Sequence, residues 1–527
     1  MRALNTEAEE ASQTPSQRNA SFVLDCNAKG LPISSSIYGV GGTDGAPWEM
    51  GAAARRWGGN PTTRYNWERN TFNVAKDWFF RNAPGATGGY AEFLRANLKH
   101  GMKTALTVPT IGWVAKDGTS YSFPVAGFGK QEATAPEAPD MGNGVGVDGK
   151  PIEPPPPTVT SEPSTPESIA RWVRQIRTDD GNGPRSVDAY ILDNEPMLWN
   201  STHRDVHPQP TTYDELLERT IAYATAIRKA DPEGKIAGPA EWGWLAYHYS
   251  AKDVVAGLFL RPDRRAHGDE PLIPWYLKAL RAHEQKSGTK MLDILDVHFY
   301  PMADGIGINT GGKTDPTTAA LRLRATRSLW DPTYKDESWI NERIRLLPLL
   351  KEWISAYYPG LGISIGEWNF GAETHMSGGL AVAEVLGRYG LEGVTSAYYW
   401  TVPQDKSPAF WAFRAFRNFD QKGGRFLDLT VPVKGSATLT SLFASRDADG
   451  RHVVAILLNL SALTPLAPAI TFEGCGSAST VRGFTYKGGA EGFESLEIPV
   501  AAPLKLVAGP YSITVIDVTF SPASSSN

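Results

Sequence analysis

Short apolar runs alternate with longer amphipathic segments from residue 37 to about residue 420. Eight of these runs have the length and composition of buried strands, at residues 37–40, 56–59, 103–108, 189–192, 235–238, 294–300, 362–365 and 395–400. The intervening segments carry helical periodicity, as in the apolar spacing of i, i+3, i+4 and i+7 at Ile169, Trp172, Val173 and Ile176. Eight strands that alternate with helices are the pattern of a (β/α)8 barrel. We therefore predict an α/β fold whose larger domain is such a barrel, over residues 36–428.

The pattern changes after residue 428, where strand-like runs follow one another with turns between them. Residues 439–445 and 452–459 flank Asp447-Ala-Asp-Gly450, a hairpin turn signal. Further β-rich runs continue to residue 518, so residues 429–522 are predicted to form a smaller β-sandwich. The N-terminal segment 21–35 is predicted to add a strand to it. In that case Cys26 and Cys475 could form a disulfide; two unpaired buried thiols are the alternative.

Two segments of the chain carry no regular pattern. Residues 1–20 are polar and are predicted to be disordered, as the terminus of a mature exported protein would be. Residues 122–163 form an insertion that contains Pro154-Pro-Pro-Pro157. It follows the third strand and so lies on the strand-to-helix face of the barrel, where active sites are built. It could form a wall of a cleft, or it could be a solvated loop.

Two of the predicted strands end at a glutamate: Asp193-Asn-Glu-Pro196 after the fourth strand and Gly366-Glu-Trp-Asn369 after the seventh. The carboxyl ends of barrel strands share one face, so Glu195 and Glu367 are expected to meet there. Glycosidic bond cleavage uses such a pair, with one group as acid/base and the other as nucleophile. We assign the acid/base role to Glu195 and the nucleophile role to Glu367. The carboxyl separation, about 5 Å for retention and about 6.5 to 9.5 Å for inversion, is a tertiary property.

Other strand ends supply residues that could assist this pair. Arg56 could hold Glu367 ionised, Tyr300 could reach the nucleophile with its hydroxyl, and His298 could order the same network. Asn194 could donate a hydrogen bond to a sugar hydroxyl. Sugar rings present an apolar face to aromatic side chains, and four tryptophans near strand ends are predicted to line the site: Trp57, Trp199, Trp368 and Trp400.

Composition and short motifs argue against nucleic acid, a membrane and an EF-hand metal as ligands of this chain. The net charge of −5 and the pI of about 6.1 argue against nucleic acid or an anionic membrane as the main partner. The sequence has no apolar stretch of about 20 residues. The acidic segment Asp179-Asp-Gly-Asn-Gly183 lacks the final glutamate of an EF-hand loop, so no metal ligands are assigned. No cofactor is required for the predicted chemistry.

Three segments resemble glycoside hydrolase family 44. They are Arg56-Trp-Gly-Gly-Asn60 with the residues up to Trp67, the long segment from Asp193 to Pro208, and Ile365-Gly-Glu-Trp-Asn369. The resemblance implies a barrel joined to a β-sandwich with strands from both termini. It also implies retaining, endo-acting cleavage of β-1,4-glucans such as carboxymethylcellulose and xyloglucan, with xylan sometimes accepted. Glu195 matches the family's acid/base and Glu367 its nucleophile, and a structural calcium ion is consistent with the family.

Two alternative functions stay open at the level of sequence. An exo-acting arabinofuranosidase or β-xylosidase can share the same barrel and sandwich. A non-catalytic carbohydrate-binding protein would not need both glutamates. In each case the partner is a polysaccharide or glycoside rather than nucleic acid or membrane, and the protein is expected to be a secreted monomer.

Overall fold

The structure is a computed structural model that describes residues 17–307 and 312–521 of the chain. It divides into two compact units. The first contains residues 34–371 and 388–403, and the second contains residues 17–33, 372–387 and 404–521.

The first unit is built on a closed barrel of parallel strands. The eight strands are β1 (Gly39–Gly41), β2 (Ala54–Trp57), β3 (Lys103–Val108), β4 (Ala189–Leu192), β5 (Lys235–Glu241), β6 (Ile294–Phe299), β7 (Gly362–Trp368) and β8 (Ser396–Tyr399). Each strand pairs with the next along the chain, and β8 closes the barrel by pairing with β1. Each of the eight predicted runs overlaps a barrel strand, although the runs 37–40 and 56–59 share only two residues with theirs; the predicted (β/α)8 architecture is confirmed.

The helices around the barrel begin where the sequence places capping residues. Thr165 caps the helix Pro166–Asp180 by accepting a hydrogen bond from the Ser168 backbone N–H. Thr212 caps Tyr213–Ala230 in the same way. The other long helices that follow barrel strands are Gly89–Lys99, Leu272–Ser287, Pro316–Ala325, Leu346–Tyr357 and Met376–Leu391. Shorter helices lie at Val125–Phe128, Trp199–Thr202, Trp244–His248, Ala251–Ala256 and Pro262–Ala266.

The insertion at residues 122–163 is more regular than the sequence predicts. Its strands Thr134–Ala135 and Ala138–Gly142 form a hairpin, and Ser161–Pro163 pairs with Trp113–Ala115. Its C-terminal end is anchored because the fully buried Arg64 donates hydrogen bonds to the Thr160 and Ser161 hydroxyls at 2.9 and 2.6 Å. This end of the insertion is therefore fixed to the segment that follows β2.

The second unit is a sandwich of two sheets, as predicted. One sheet has the strand order Val433–Lys434, Arg18–Asp25, Leu466–Glu473 and Leu504–Lys505. The other has the order Leu429–Thr430, Thr440–Arg446, His452–Asn459, Ser512–Phe520, Ala478–Tyr486 and Glu494–Leu496. Buried side chains of both sheets, such as Leu24 and Leu457, form one hydrophobic core. The N-terminal strand runs parallel to Leu466–Glu473, so both termini contribute to the sandwich.

The structure differs from the predicted boundaries at three places. The N-terminal strand begins at Arg18 rather than residue 21, so residues 18–20 are ordered by pairing; residues 1–16 lie outside the described part. Residues 372–387 and 404–428 belong to the sandwich unit rather than the barrel. The reason is hydrophobic: Trp411, in the helix Pro408–Arg417, packs against Tyr486 and Phe493.

The two cysteines form a disulfide between Cys26 and Cys475 across 449 positions of sequence. Both lie beside paired strands of the same sheet, so the N-terminal strand brings Cys26 to its partner. The alternative of two unpaired thiols is excluded. Among the helices of the described residues, none is long and apolar enough to cross a bilayer.

Candidate active site

Glu195 lies in a tight turn directly after β4. Its backbone has φ +49°, in the left-handed region that is unusual for a residue other than glycine. Two neighbours hold this conformation: the Glu195 N–H donates to the Ala240 carbonyl at 3.0 Å, and the Leu198 N–H donates to the Glu195 carbonyl at 2.8 Å. The buried Asp193 fixes the preceding position, since its carboxylate accepts from the Ile111 N–H at 3.0 Å. These backbone contacts together fix the conformation of Glu195 and so the direction of its side chain.

Glu367 is held on both carboxylate oxygens. Arg56 of β2 donates to Oε1 at 2.5 Å, and the Tyr300 hydroxyl donates to Oε2 at 2.7 Å. Arg56 is fully buried and also donates to the Asn194 side-chain carbonyl at 2.8 Å. One guanidinium therefore connects Glu367 to the residue that precedes Glu195.

His298 lies between the two carboxyl groups. Its Nδ1 is 2.9 Å from Glu195 Oε1 and 3.5 Å from Glu367 Oε2. One carboxylate oxygen of each glutamate and a ring nitrogen of His298 all lie within 4.8 Å of one another. A water molecule between two carboxyl groups on opposite faces of a sugar requires a wider gap, of about 6.5 to 9.5 Å. The nearest oxygens of Glu195 and Glu367 are closer than that gap.

The environment moves the two carboxyl pKa values in opposite directions. Burial and the negative charge of Glu367 raise the pKa of Glu195, against the effect of its hydrogen bond to His298. Burial would also raise the pKa of Glu367, but His298, Arg56 and Tyr300 together lower it below the usual range. The shifts favour the protonated form of Glu195 and the ionised form of Glu367, the forms that an acid and a nucleophile need.

A cavity of about 260 Å³ lies at the ends of β1, β2 and β8, on the barrel face that also carries the two glutamates. Aromatic and polar groups line it together: Trp57, Tyr65, Phe72, Trp400, Thr43, Asp44 and Thr401. The Trp400 ring packs closely on Gly41 and Gly59. A Cβ added at either glycine would come within 2.5 Å of the ring. Apolar ring faces next to hydroxyl and carboxylate groups suit a carbohydrate.

Two of the tryptophans predicted to bind sugar do not reach this cavity. Trp368 is fully buried and packs edge-on against Tyr389 and Tyr399. Trp199 is 1% exposed and packs with Ile111 and Val206. Those two predictions are wrong, because the side chain after a strand end can turn into the layer between strands and helices. Of the other two, the structure places Trp400 and Trp57 in the cavity wall.

Sequence reasoning missed two residues near the pair. Asn60 accepts a hydrogen bond from the Asn194 amide at 3.2 Å; it ends the segment Arg56–Asn60 that resembles the family, but no role was assigned to it from the sequence. Glu241 ends β5 as a third buried carboxyl group. The sequence does mark Glu241, because Glu241-Trp242 repeats the Glu-Trp pair of Glu367-Trp368 at the end of an apolar run.

Three comparisons place this chain among known proteins. The family model described as glycoside hydrolase family 44 matches residues 71–303. Endoglucanase A of Paenibacillus lautus is 30% identical over 494 residues, which cover 88% of this chain and 67% of that protein. This chain belongs to glycoside hydrolase family 44. As a member it is an endo-acting glycoside hydrolase, and its substrate is a polysaccharide.

Solved structures of the family share the whole described fold. CelM2, a bifunctional glucanase-xylanase from a metagenome library, has 31% sequence identity and a TM-score of 0.89 over 96% of this chain and all of that chain. A Paenibacillus polymyxa xyloglucanase of the same family, solved with xyloglucan, has 26% identity and a TM-score of 0.80 over 96% of this chain and all of that chain.

Proposed function

We propose that this family 44 hydrolase cleaves β-1,4-glucan backbones with retention of configuration, with xyloglucan and carboxymethylcellulose as substrates and xylan as a secondary one. The observation that carries the mechanism is the carboxyl spacing within 4.8 Å. The names of the relatives support the substrate class.

The geometry supports a double displacement. Protonated Glu195 gives its proton to the glycosidic oxygen while the Glu367 carboxylate attacks the anomeric carbon, which breaks the bond and leaves a glycosyl ester on Glu367. Glu195, now a carboxylate, takes a proton from water as that water attacks the anomeric carbon and releases Glu367. Arg56 and Tyr300 hold Glu367 in line for both steps, since each donates a hydrogen bond to one of its oxygens.

Substitution of the nucleophile tests this assignment. Glu367→Gln should abolish turnover of carboxymethylcellulose and xyloglucan, because a neutral amide cannot attack the anomeric carbon. Glu218→Gln, on the exposed face of the helix Tyr213–Ala230, is the matched control. Proton NMR of the first products should show the β-anomer. Near-normal turnover by Glu367→Gln, or the α-anomer first, would contradict the mechanism.

Product size tests endo action. A rapid fall in viscosity with mixed oligosaccharides is expected on the glucans. Release of monosaccharide alone, from an aryl arabinofuranoside but not from the polymers, would favour the exo-acting alternative instead. If the wild-type protein binds the polymers but does not cleave them, the non-catalytic binding protein is favoured.

The remaining expectations concern location, assembly and metal. The Cys26–Cys475 disulfide supports secretion, because such bonds persist in oxidising compartments. The protein is proposed to act as a monomer, which light scattering would test. A structural calcium ion is retained as a proposal for metal analysis. The Glu195, His298 and Glu367 cluster does not fit calcium, which binds six to eight oxygens, because it includes an imidazole and the reacting carboxyl groups.

A further inference from the structure

A third carboxyl group, that of Glu241, lies beneath the turn that carries the acid/base. Glu241 ends β5, which pairs with β4 on one side and β6 on the other, so it lies between the strands of Glu195 and His298. Its exposed fraction is 0%. The proposed mechanism gives it no role, although a buried carboxyl next to an active site is unfavourable unless something requires it.

Glu241 is connected to the acid/base through the backbone. The Met197 N–H donates to Glu241 Oε2 at 3.4 Å, and Met197 belongs to the single turn Pro196–Leu198 that follows Glu195. The residue before Glu241 takes part as well, because the Ala240 carbonyl accepts from the Glu195 N–H. Two contacts thus join the ends of β4 and β5 on either side of the Glu195 side chain.

The surroundings of Glu241 favour its uncharged form. The titratable groups that face it are Glu195 on β4, Tyr247 on the helix Trp244–His248 and Tyr276 on the helix Leu272–Ser287, none of which is a cation. Its Oε1 is buried and has no hydrogen-bond partner among the described residues. Burial, and then the charge of Glu195, raise the pKa of Glu241 well above its usual range. An unpaired carboxylate would be strongly disfavoured here.

We propose that Glu241 is a positioning residue of the acid/base, a neutral carboxylic acid that holds the Glu195 turn in place without adding negative charge beside it. The inference rests on the proposed function of Glu195. That residue must alternate between acid and carboxylate during one turnover. A charged neighbour would oppose the carboxylate form, whereas a neutral acid supports the turn in both steps.

Two substitutions of Glu241 distinguish the loss of its hydrogen-bond acceptor from a change in its charge. Glu241→Leu removes the acceptor for the Met197 N–H and should lower kcat about 10- to 100-fold with KM nearly unchanged, because a misplaced catalytic group is costly. Glu241→Gln keeps the size, the acceptor and the neutral charge, so it should restore kcat and leave the alkaline limb of the pH profile in place. Asp253→Leu removes another fully buried carboxyl, one that accepts from the Asp263 N–H rather than from the Glu195 turn, and is the control for stability alone.

Several outcomes would overturn the proposal. If Glu241→Leu lowers Tm as Asp253→Leu does but keeps kcat, the residue is merely structural. If Glu241→Gln loses activity and moves the alkaline limb to lower pH, Glu241 is ionised in the wild type. Infrared difference spectra at neutral pH test the charge state without substrate: the wild type should show a protonated carboxyl band that Glu241→Gln lacks. The infrared measurement does not depend on activity. Inactivity on glucans would contradict the proposed function, whereas a missing band would contradict the neutral state of Glu241.

Discussion

His298, Arg56 and Tyr300 together lower the pKa of the proposed nucleophile, Glu367, and removal of Arg56 should move the acidic limb of the pH profile. The guanidinium is fully buried and contacts Glu367 Oε1 at 2.5 Å. Replacement by glutamine keeps a hydrogen-bond donor but removes the positive charge. Because Glu367 must be a carboxylate to attack, activity falls as pH drops through its pKa. Arg56 lowers that pKa, so its loss raises the pKa and shifts the limb to higher pH.

The size of the shift follows from the contact. Two unit charges about 4 Å apart interact by about 4 kcal/mol at an effective permittivity near 20. One pKa unit corresponds to about 1.36 kcal/mol, so the upper bound is about three units. His298 and Tyr300 still lower the pKa in the variant. We therefore expect a rise of about one to two units, and a fall of about 10- to 100-fold in kcat/KM on the acidic side.

The assay is kcat/KM on a soluble glucan across pH for Arg56→Gln and wild type. The loss should shrink as pH rises, because the nucleophile becomes ionised again. Arg64→Gln is the matched control, since Arg64 is equally buried and pairs with Asp205 at 2.7 Å outside the catalytic pair. It should lower Tm and leave the acidic limb in place. A loss for Arg56→Gln that is uniform at every pH would refute the electrostatic argument.

Three further predictions concern the Tyr300 hydroxyl, the Trp400 ring and the Cys26–Cys475 disulfide. Tyr300→Phe removes a hydrogen bond to an ionised group, worth about 1.5 to 3 kcal/mol, so kcat/KM should fall about 10- to 150-fold; an unchanged value would show that Glu367 does not need it. Trp400→Ala should raise KM on cello-oligosaccharides about tenfold or more, because the cavity loses its ring platform, and binding calorimetry would show the same loss. Cys475→Ser should destabilise the sandwich unit by about 2 to 5 kcal/mol, seen by calorimetry as a lower Tm; an unchanged Tm would show that the long cross-link contributes nothing.

The fold was accessible from sequence because its signals are local. Most of the barrel strands contain a short apolar run, since parallel strands are buried on both faces, whereas β2 (Ala54–Trp57) includes two arginines. The helix starts at Thr165 and Thr212 follow from side chains that cap their own backbone. Likewise, Glu195 and Glu367 could be paired from position alone, because every strand of a parallel barrel delivers its carboxyl end to the same face.

Side-chain direction was not accessible in this way. Trp368 and Trp400 both follow strand ends, yet one packs between Tyr389 and Tyr399 and the other lines the cavity. Glu241 carries the same Glu-Trp signal as Glu367 but faces Tyr247 and Tyr276 instead of the cleft. Such differences depend on which neighbours fill the space, and those neighbours come from distant parts of the chain.

By itself the sequence determined the strand order, the two-unit composition and the positions of the two strand-end glutamates proposed to react, because each depends on short-range pattern and on barrel topology. The tertiary structure decided the rest. It set the carboxyl spacing within 4.8 Å, the Cys26–Cys475 bond and the opposite pKa shifts of Glu195 and Glu367. Each of these is a distance between groups far apart in the chain, and such distances exist only after the barrel and the sandwich have closed.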